Sequence, residues 1–361
     1  MAPSSRARLS IDLNALAHNY RVIAHEARGA EVAPVVKADG YGLGAGPIAR
    51  RLWEEGARTF FVARLEEGEA LRRDLARDAA AILVLDGFTD GAGPRLEASR
   101  LTPVLNSAAQ VKAARDQAKA YTSPLVCALQ VDTGMNRQGL AAAETQQLAE
   151  TDQLSGLKID LIMSHLGSGA DPTHPRNQRQ LSDFAALRAR FPTARASLAA
   201  SAGTFLGPDF RFDMVRPGIS LYGGGPQERP DPRLHAVACL EAPILDVRAV
   251  AEGELIGYGV TIHAEKATRV ALVGAGYADG LIRATRRGGE AWANGARRRL
   301  FIVDMDLTVI DLGDAEAAPG DMVELLGPHI LLDDQAKAAG SIAHECLVRL
   351  SSRAERIYLG Q

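Results

Sequence analysis

A (β/α)8 barrel followed by a mainly β domain is the α/β fold class that the sequence predicts, on three observations. Apolar strand candidates at 32–37, 59–63, 80–85, 101–105, 124–131, 159–165, 195–200 and 214–221 alternate with helical candidates at 47–55, 65–76, 107–119, 141–150 and 176–190. The stretch from Gly223-Gly224-Gly225-Pro226 to Pro230-Asp231-Pro232 breaks that pattern, and short apolar runs separated by Gly, Pro and Asp turns come after it. Finally, Lys37, Arg137, His165, Ser201 and Arg216 fall at or just beyond the C-terminal ends of predicted strands. Barrel enzymes collect their chemistry on that rim. A doubly wound sheet repeats in the same way, and the placement of these residues favours the barrel.

Taken in order, residues 8–13 alternate like a short strand. Leu13, Leu16, Ala17, Tyr20, Ile23, Ala24 and Ala27 then form the stripe of an amphipathic helix that Gly29 ends. The barrel repeat comes next, with a short helical piece at 202–206 and no convincing element between 86 and 100. Beyond the break, runs at 236–240, 244–250, 269–273, 300–304, 307–310 and 322–326 read as strands, and helices are expected near 334–339 and 341–349. The expected domains are 12–225, the barrel, and 234–361 together with the N-terminal strand 8–11, the mainly β domain.

The length of 361 residues with 47% apolar content suits two domains. The 41 basic and 44 acidic residues leave a net charge of −3, which argues against a general nucleic-acid binder. The patch Arg297-Arg298-Arg299 reads as a solvated loop. Cys127, Cys239 and Cys346 form neither a disulfide framework nor a metal-binding spacing, so no metal is expected and a reducing, cytoplasmic compartment is. Residues 1–10 are polar, and no apolar run suits a signal peptide or a membrane span.

The stretch Val35-Val36-Lys37-Ala38-Asp39-Gly40-Tyr41-Gly42-Leu43-Gly44 organises the chain. An apolar strand delivers Lys37 to its end, where desolvation disfavours the ammonium and suits the side chain to act as a neutral nucleophile or base. The glycines permit tight turning and close approach to a ligand. This segment closely resembles the cofactor-lysine signature of the alanine racemases, pyridoxal 5'-phosphate enzymes of the barrel type. The resemblance continues at matching intervals almost to the C-terminus. It implies that Lys37 holds the cofactor covalently and that Tyr41 contacts its phosphate.

Further positions carry the same resemblance. In Arg216-Pro217-Gly218-Ile219, it implies that Arg216 points at the pyridine nitrogen and leaves it unprotonated. The ring is then a weaker electron sink, and return of the proton is favoured over transamination. Ile256-Gly257-Tyr258-Gly259-Val260-Thr261 matches the segment of the second catalytic base, so that Lys37 and Tyr258 would work on opposite faces of the substrate. A free phenol has a pKa near 10, too weak a base without help, and the family supplies it through a histidine, here His165. Arg137, in Asp132-Thr133-Gly134-Met135-Asn136-Arg137, is implied to bind the cofactor's phenolic oxygen and the substrate carboxylate. Tyr277 lies in a segment that resembles the family's entryway motif, and Met305-Asp306 matches the pair that, in the family, helps to hold the carboxylate through backbone N–H groups. Ser201, Gly218 and Ile219 fall where the family cups the phosphate. The family also implies a head-to-tail homodimer with shared sites, in which Tyr258 and Met305 act on the partner's substrate.

Four positions depart from the pattern: Gln130 in place of a carbamylated lysine, Ala200 in place of an asparagine, and Ser352 or Ala354 where a phosphate-contacting tyrosine is expected, with Tyr358 further along. The fourth is the turn His165-Leu166-Gly167-Ser168-Gly169, which is closer to that of barrel-type amino-acid decarboxylases. The expected activity is interconversion of L- and D-alanine. The alternatives are a racemase of another small amino acid, a relative of the decarboxylases, and a non-catalytic pyridoxal-phosphate carrier. Decarboxylases usually pair an acidic residue with the pyridine nitrogen and carry a Cys-Asp-Glu motif. This chain has Arg216, and Leu347-Val348 come after Cys346. A carrier would leave 234–361 without purpose.

Overall fold

The computed structural model describes residues 7–258 and 262–360, and the chain divides into two compact units. The first is Tyr20–Gly40 with Gly44–Leu221; the second takes the residues up to Asn19, Tyr41–Leu43, and Tyr222 onward. Gly259, Val260 and Thr261, the tail of the Tyr258 motif, lie outside the described residues.

Strand β1 (Arg8–Asp12) belongs to the second unit. Asp12 then starts the helix Leu13–Glu26, its carboxylate accepting the N–H groups of Asn14 and Ala15 at 2.8 and 3.0 Å.

The first unit is built on β2 (Glu31–Val32), β3 (Thr59–Val62), β4 (Ala81–Val84), β5 (Thr102–Leu105), β6 (Leu125–Gln130), β7 (Leu157–Met163), β8 (Arg195–Ser197) and β9 (Met214–Val215). Strands β3 to β8 lie side by side in chain order, and β2 pairs with β9. Parallel bridges Val35 to Phe61 and Ala200 to Arg216 join these two sheets into a closed ring. Helices alternate with most of the strands, and the C-terminal parts of the longer strands are buried, so they read as apolar runs such as Phe60-Phe61-Val62 and Ile82-Leu83-Val84. Two expectations are corrected. A helix, Gly93–Ala98, lies where the sequence showed no element; at six residues it is too short for a periodic stripe to register. The last barrel strand ends at Val215 rather than running to 221, because Pro217 has no N–H for a ladder. Ile219–Tyr222 forms a 3-10 turn instead.

After Lys37 the backbone winds left-handed through Ala38 (φ 52°, ψ 48°), Asp39 (53°, 51°) and Gly40 (63°, 44°) to Tyr41 (φ 58°). Such a conformation costs roughly 1–2 kcal/mol per residue other than glycine. Local hydrogen bonds offset it. Asp39 Oδ1 accepts the Ala45 N–H and Asp39 O accepts the Gly44 N–H, both at 2.8 Å, while Glu67 accepts the Ala38 N–H at 2.9 Å.

The second unit carries β1 with β10 (Ala238–Val250), β11 (Thr268–Val273), β12 (Glu290–Ala293), β13 (Ala296–Val303), β14 (Thr308–Gly313), β15 (Met322–Leu326) and β16 (Glu355–Leu359). They run β11-β14-β13-β12-β15-β10-β1-β16, and a register shift after Ile244 lets the long β10 pair with β11 as well. Helices Leu332–Ala338 and Ala343–Val348 complete the unit. Arg297, Arg298 and Arg299 lie on β13 rather than in a loop; Arg297 pairs with Glu290 at 3.0 Å and Arg298 donates to Leu312 O at 3.1 Å. Among the described residues no helix is long and apolar enough to cross a membrane.

Asp333 is buried at the start of the first of these helices and accepts the Gly225 N–H at 2.8 Å. Burial pushes its carboxyl up to about 6. The folded chain therefore holds this proton more tightly than the unfolded chain, and the associated stability is lost as the pH rises from near 4 through 6. Asp333→Asn, which keeps an acceptor for Gly225, is expected to remove that slope and to gain up to about 3 kcal/mol at neutral pH. Urea unfolding of both proteins at pH 5 and 8 checks it; an unchanged slope would place the titration elsewhere.

Candidate active site

Within the barrel unit, Arg216, Ser197, Ser164, Thr133 and Gln180 form one connected polar system near the strand ends. Arg216 lies just past β9 and is buried, with its guanidinium near the Phe61 ring. Its Nη1 donates to Ser197 O at 2.9 Å and to Ser197 Oγ, and its Nη2 donates to Ser164 O at 2.6 Å. No carboxylate pairs with it among the described residues, and burial lowers its pKa to about 9. It still carries its charge at neutral pH. Ser197 Oγ in turn donates to Met214 O at 2.7 Å.

Ser164 Oγ and Thr133 Oγ1 hydrogen-bond at 2.8 Å, and Gln180 Nε2 donates to Thr133 Oγ1 at 3.2 Å and to His165 O at 2.9 Å. Gln180 Oε1 accepts the Gly167 N–H at 2.8 Å. One fully buried amide thus grips the turn that carries His165 and the loop that leads to Arg137. Thr133, Ser164, Ser197 and Gln180 were not among the candidate residues. Gln180 lies in the middle of a polar helix, and nothing in its spacing separates it from a solvated position.

Lys37 is half-buried at the start of the left-handed turn. Its pKa is lowered, first by desolvation and then by repulsion from Arg137, against the pull of Glu67 and Asp86. Arg137 itself is exposed and Gln130 is buried at the end of β6.

Ser201, buried at the head of the short helix Ser201–Thr204, accepts the N–H of Gly218 at 2.9 Å and of Ser220 at 3.2 Å through its hydroxyl oxygen. Ile219 is buried beside them, and the Ser220 hydroxyl is buried with no hydrogen-bond partner among the described residues. Ala200 offers its carbonyl to Thr204 Oγ1 at 2.9 Å.

The second unit holds the remaining candidates. Tyr41 is buried with its ring centroid 4.6 Å from that of Tyr222 and 5.8 Å from that of His344; burial raises its phenol well above the ordinary range. Tyr358 is already committed, donating to Leu43 O at 2.9 Å. Tyr258 is 83% exposed, beside a concavity lined by Arg283 and Arg286. Tyr277 and Met305 are also exposed, on turns joined by Tyr277 N–H to Asp304 O at 2.8 Å and Ala278 N–H to Met305 O at 2.9 Å. Asp306 pairs with Arg353, a residue whose place in a polar segment gives no sign of that role.

A closed parallel barrel whose strand ends gather a desolvated lysine and a buried arginine, followed by a β domain, defines the class. The model of the alanine racemase N-terminal domain matches residues 11–226, and that of the C-terminal domain matches 237–358. The chain is 42% identical over 358 residues to a catabolic alanine racemase of Mesorhizobium japonicum, covering 98% of this chain and 93% of that protein. It is also 42% identical to an alanine racemase of Methylobacterium nodulans, covering 99% and 97%. Among solved structures, the alanine racemase from Bartonella henselae with covalently bound pyridoxal phosphate superposes with a TM-score of 0.92 at 36% identity, covering 99% of this chain and 100% of that one. The biosynthetic alanine racemase from Pseudomonas aeruginosa does so with 0.92 at 34% identity and the same coverage. The chain belongs to the alanine racemase family.

Proposed function

We propose that this protein is a pyridoxal-phosphate-dependent alanine racemase that interconverts L- and D-alanine, supplying or consuming the D-enantiomer. The observation that carries the reading is the set of groups on the barrel rim of a chain of this family: a lysine with a lowered pKa, and, among the described residues, an arginine without a carboxylate and a buried serine hydroxyl without a partner. These residues fit the cofactor. Ser220 lacks a hydrogen-bond partner, and Ser201, which accepts two N–H groups, still has its own O–H to donate. A phosphate satisfies both hydroxyls.

Lys37 would hold pyridoxal phosphate. Ser201, Gly218, Ile219 and Tyr41 would hold its phosphate end, and Arg137, His165 and Arg216 its ring. When bound, the cofactor supplies an electron-withdrawing ring that acidifies the α-hydrogen of an attached amino acid. The protein's own groups decide where that proton goes. Arg216 donates hydrogen bonds and cannot accept one, so it offers a ring nitrogen no place to keep a proton. Lys37, whose amine loses its proton readily, exchanges a proton with one face of the α-carbon. Tyr258 does so on the other face, helped by a chain of hydrogen bonds through His165 to Arg216. Arg137 and the backbone N–H groups at Met305-Asp306 orient the substrate carboxylate.

Tyr258 and Met305 act across a homodimer in this reading. Their exposure in the single chain, 83% and 54%, supports a covering partner. The free thiols of Cys127, Cys239 and Cys346 suit a cytoplasmic location.

Purified protein with pyridoxal phosphate is expected to produce D-alanine from L-alanine, monitored by chiral chromatography across a panel of L-amino acids. Release of carbon dioxide and an amine would instead identify a decarboxylase. Borohydride should fix the cofactor to Lys37, and a label on Lys112 or Lys158 would remove Lys37 from its role.

A further inference from the structure

Arg353 sits beside the position where the family's phosphate-contacting tyrosine is missing, and it has a different job. Its Nη1 donates to Asp306 Oδ1 at 2.5 Å, and its Nε lies 3.3 Å from Asp279 Oδ1. The two carboxylates differ in setting. Asp279 is buried and accepts the Gly276 N–H at 2.9 Å through its other oxygen, whereas Asp306 is exposed. Three turns meet here. Besides the two hydrogen bonds joining 277–278 to 304–305, Thr308 Oγ1 donates to Ala275 O at 2.8 Å. Ser351 donates through its N–H to Asp279 O at 3.2 Å and through its hydroxyl to Ala278 O at 2.8 Å. A Cβ on Gly276 would collide with Asp304 O, so these backbones are in direct contact. Their inner parts are fixed by buried groups. The tip at Met305-Asp306 projects outward, and Arg353 ties its carboxylate back to the buried one.

We propose that Arg353 is a positioning residue for substrate binding: by clamping Asp306 to Asp279, it fixes the direction of the backbone N–H groups at Met305-Asp306. This rests on the proposed function, in which those groups receive the substrate carboxylate. The forked guanidinium is what the geometry requires, because it spans two carboxylates from one side chain, whereas an ammonium is a single point charge. Arg353 is half-exposed, so its replacement leaves the fold's core intact.

The test uses the holoenzyme with Arg353→Ala and Arg353→Lys. For Arg353→Ala, the KM for L-alanine and the Ki of propionate, a carboxylate without the amine, should both rise about tenfold, with kcat within about twofold of wild type. Amide exchange over 304–308, read by mass spectrometry, should quicken about tenfold, and Arg353→Lys should fall between. Unchanged exchange would show that Arg353 does not hold the turn and would overturn the proposal. Faster exchange with unchanged KM and Ki would overturn it too, since a loosened turn would then have no bearing on the carboxylate. The underlying function fails separately, in wild-type protein that does not convert L-alanine at all.

Discussion

Mixing inactive Lys37→Ala subunits with inactive Tyr258→Phe subunits is expected to restore racemisation to about a quarter of the wild-type level. Each variant alone should lose about 10²–10⁴-fold in kcat, the range that a positioned acid or base contributes. The recovery is a matter of geometry. If Tyr258 serves the partner's site, a mixed dimer has one site with both defects and one with neither. With equal mixing, about half the dimers are mixed and half of their sites are intact. If Lys37 and Tyr258 served one site from the same chain, every site would carry a defect. Exchange between dimers is tracked with a mass or fluorescent tag. Recovery near zero with exchange confirmed would rule out the shared site. The exposure of Tyr258 in the single chain is what makes the first outcome the expected one.

Arg216→Glu should divert the chemistry as well as slow it. A carboxyl side chain there can hold a proton and share it with a ring nitrogen, which Arg216 cannot do. Racemisation of alanine is expected to fall about 10²–10³-fold, and pyruvate should appear as a side product, measurable with a coupled lactate dehydrogenase assay. The variant also removes the Arg216 donors to Ser164 O, Ser197 O and Ser197 Oγ. Ser197 O keeps the Ser164 N–H at 3.0 Å and Ser197 Oγ keeps its bond to Met214 O, so the loss falls mainly on Ser164 O. A buried acceptor left unpaired costs about 1–3 kcal/mol, so a lower Tm is expected alongside. Arg216→Lys keeps the charge and serves as the control that should make no pyruvate. A glutamate variant that retains cofactor and makes no pyruvate would place Arg216 away from the ring nitrogen.

The barrel was legible because the buried ends of its parallel strands leave apolar runs such as Phe60-Phe61-Val62, and several strands end close to a chemically marked position such as Lys37 or Arg216. The β domain was harder. Strands β12 and β16 carry charge on half-exposed faces, Glu290 in one and Glu355 with Arg356 in the other, so neither forms an apolar run. Arg297 to Arg299 looked like solvent-facing loop for the same reason, although the sheet places them on a strand with pairing partners. At the candidate site, the residues that stood out in sequence sit in compact motifs. Of those that support them, Thr133 and Ser164 lie inside or beside these motifs without a mark of their own, and Gln180 and Arg353 lie in polar stretches. They acquire meaning only when folding brings their carbonyl, amide and carboxylate partners within reach.

The left-handed turn after Lys37 also bears on how this protein can diverge. Ala38 and Asp39 are solvent-exposed, the usual mark of positions that drift freely, yet their backbone lies in a region that few residues enter without strain. Over generations these sites should wander among Gly, Asn, Asp and Ala, while Val, Ile and Thr are excluded by shape at Cβ alone. Surface accessibility and freedom to vary are therefore uncoupled along this stretch. A library designer who ranked positions by exposure would spend diversity where the backbone accepts almost none.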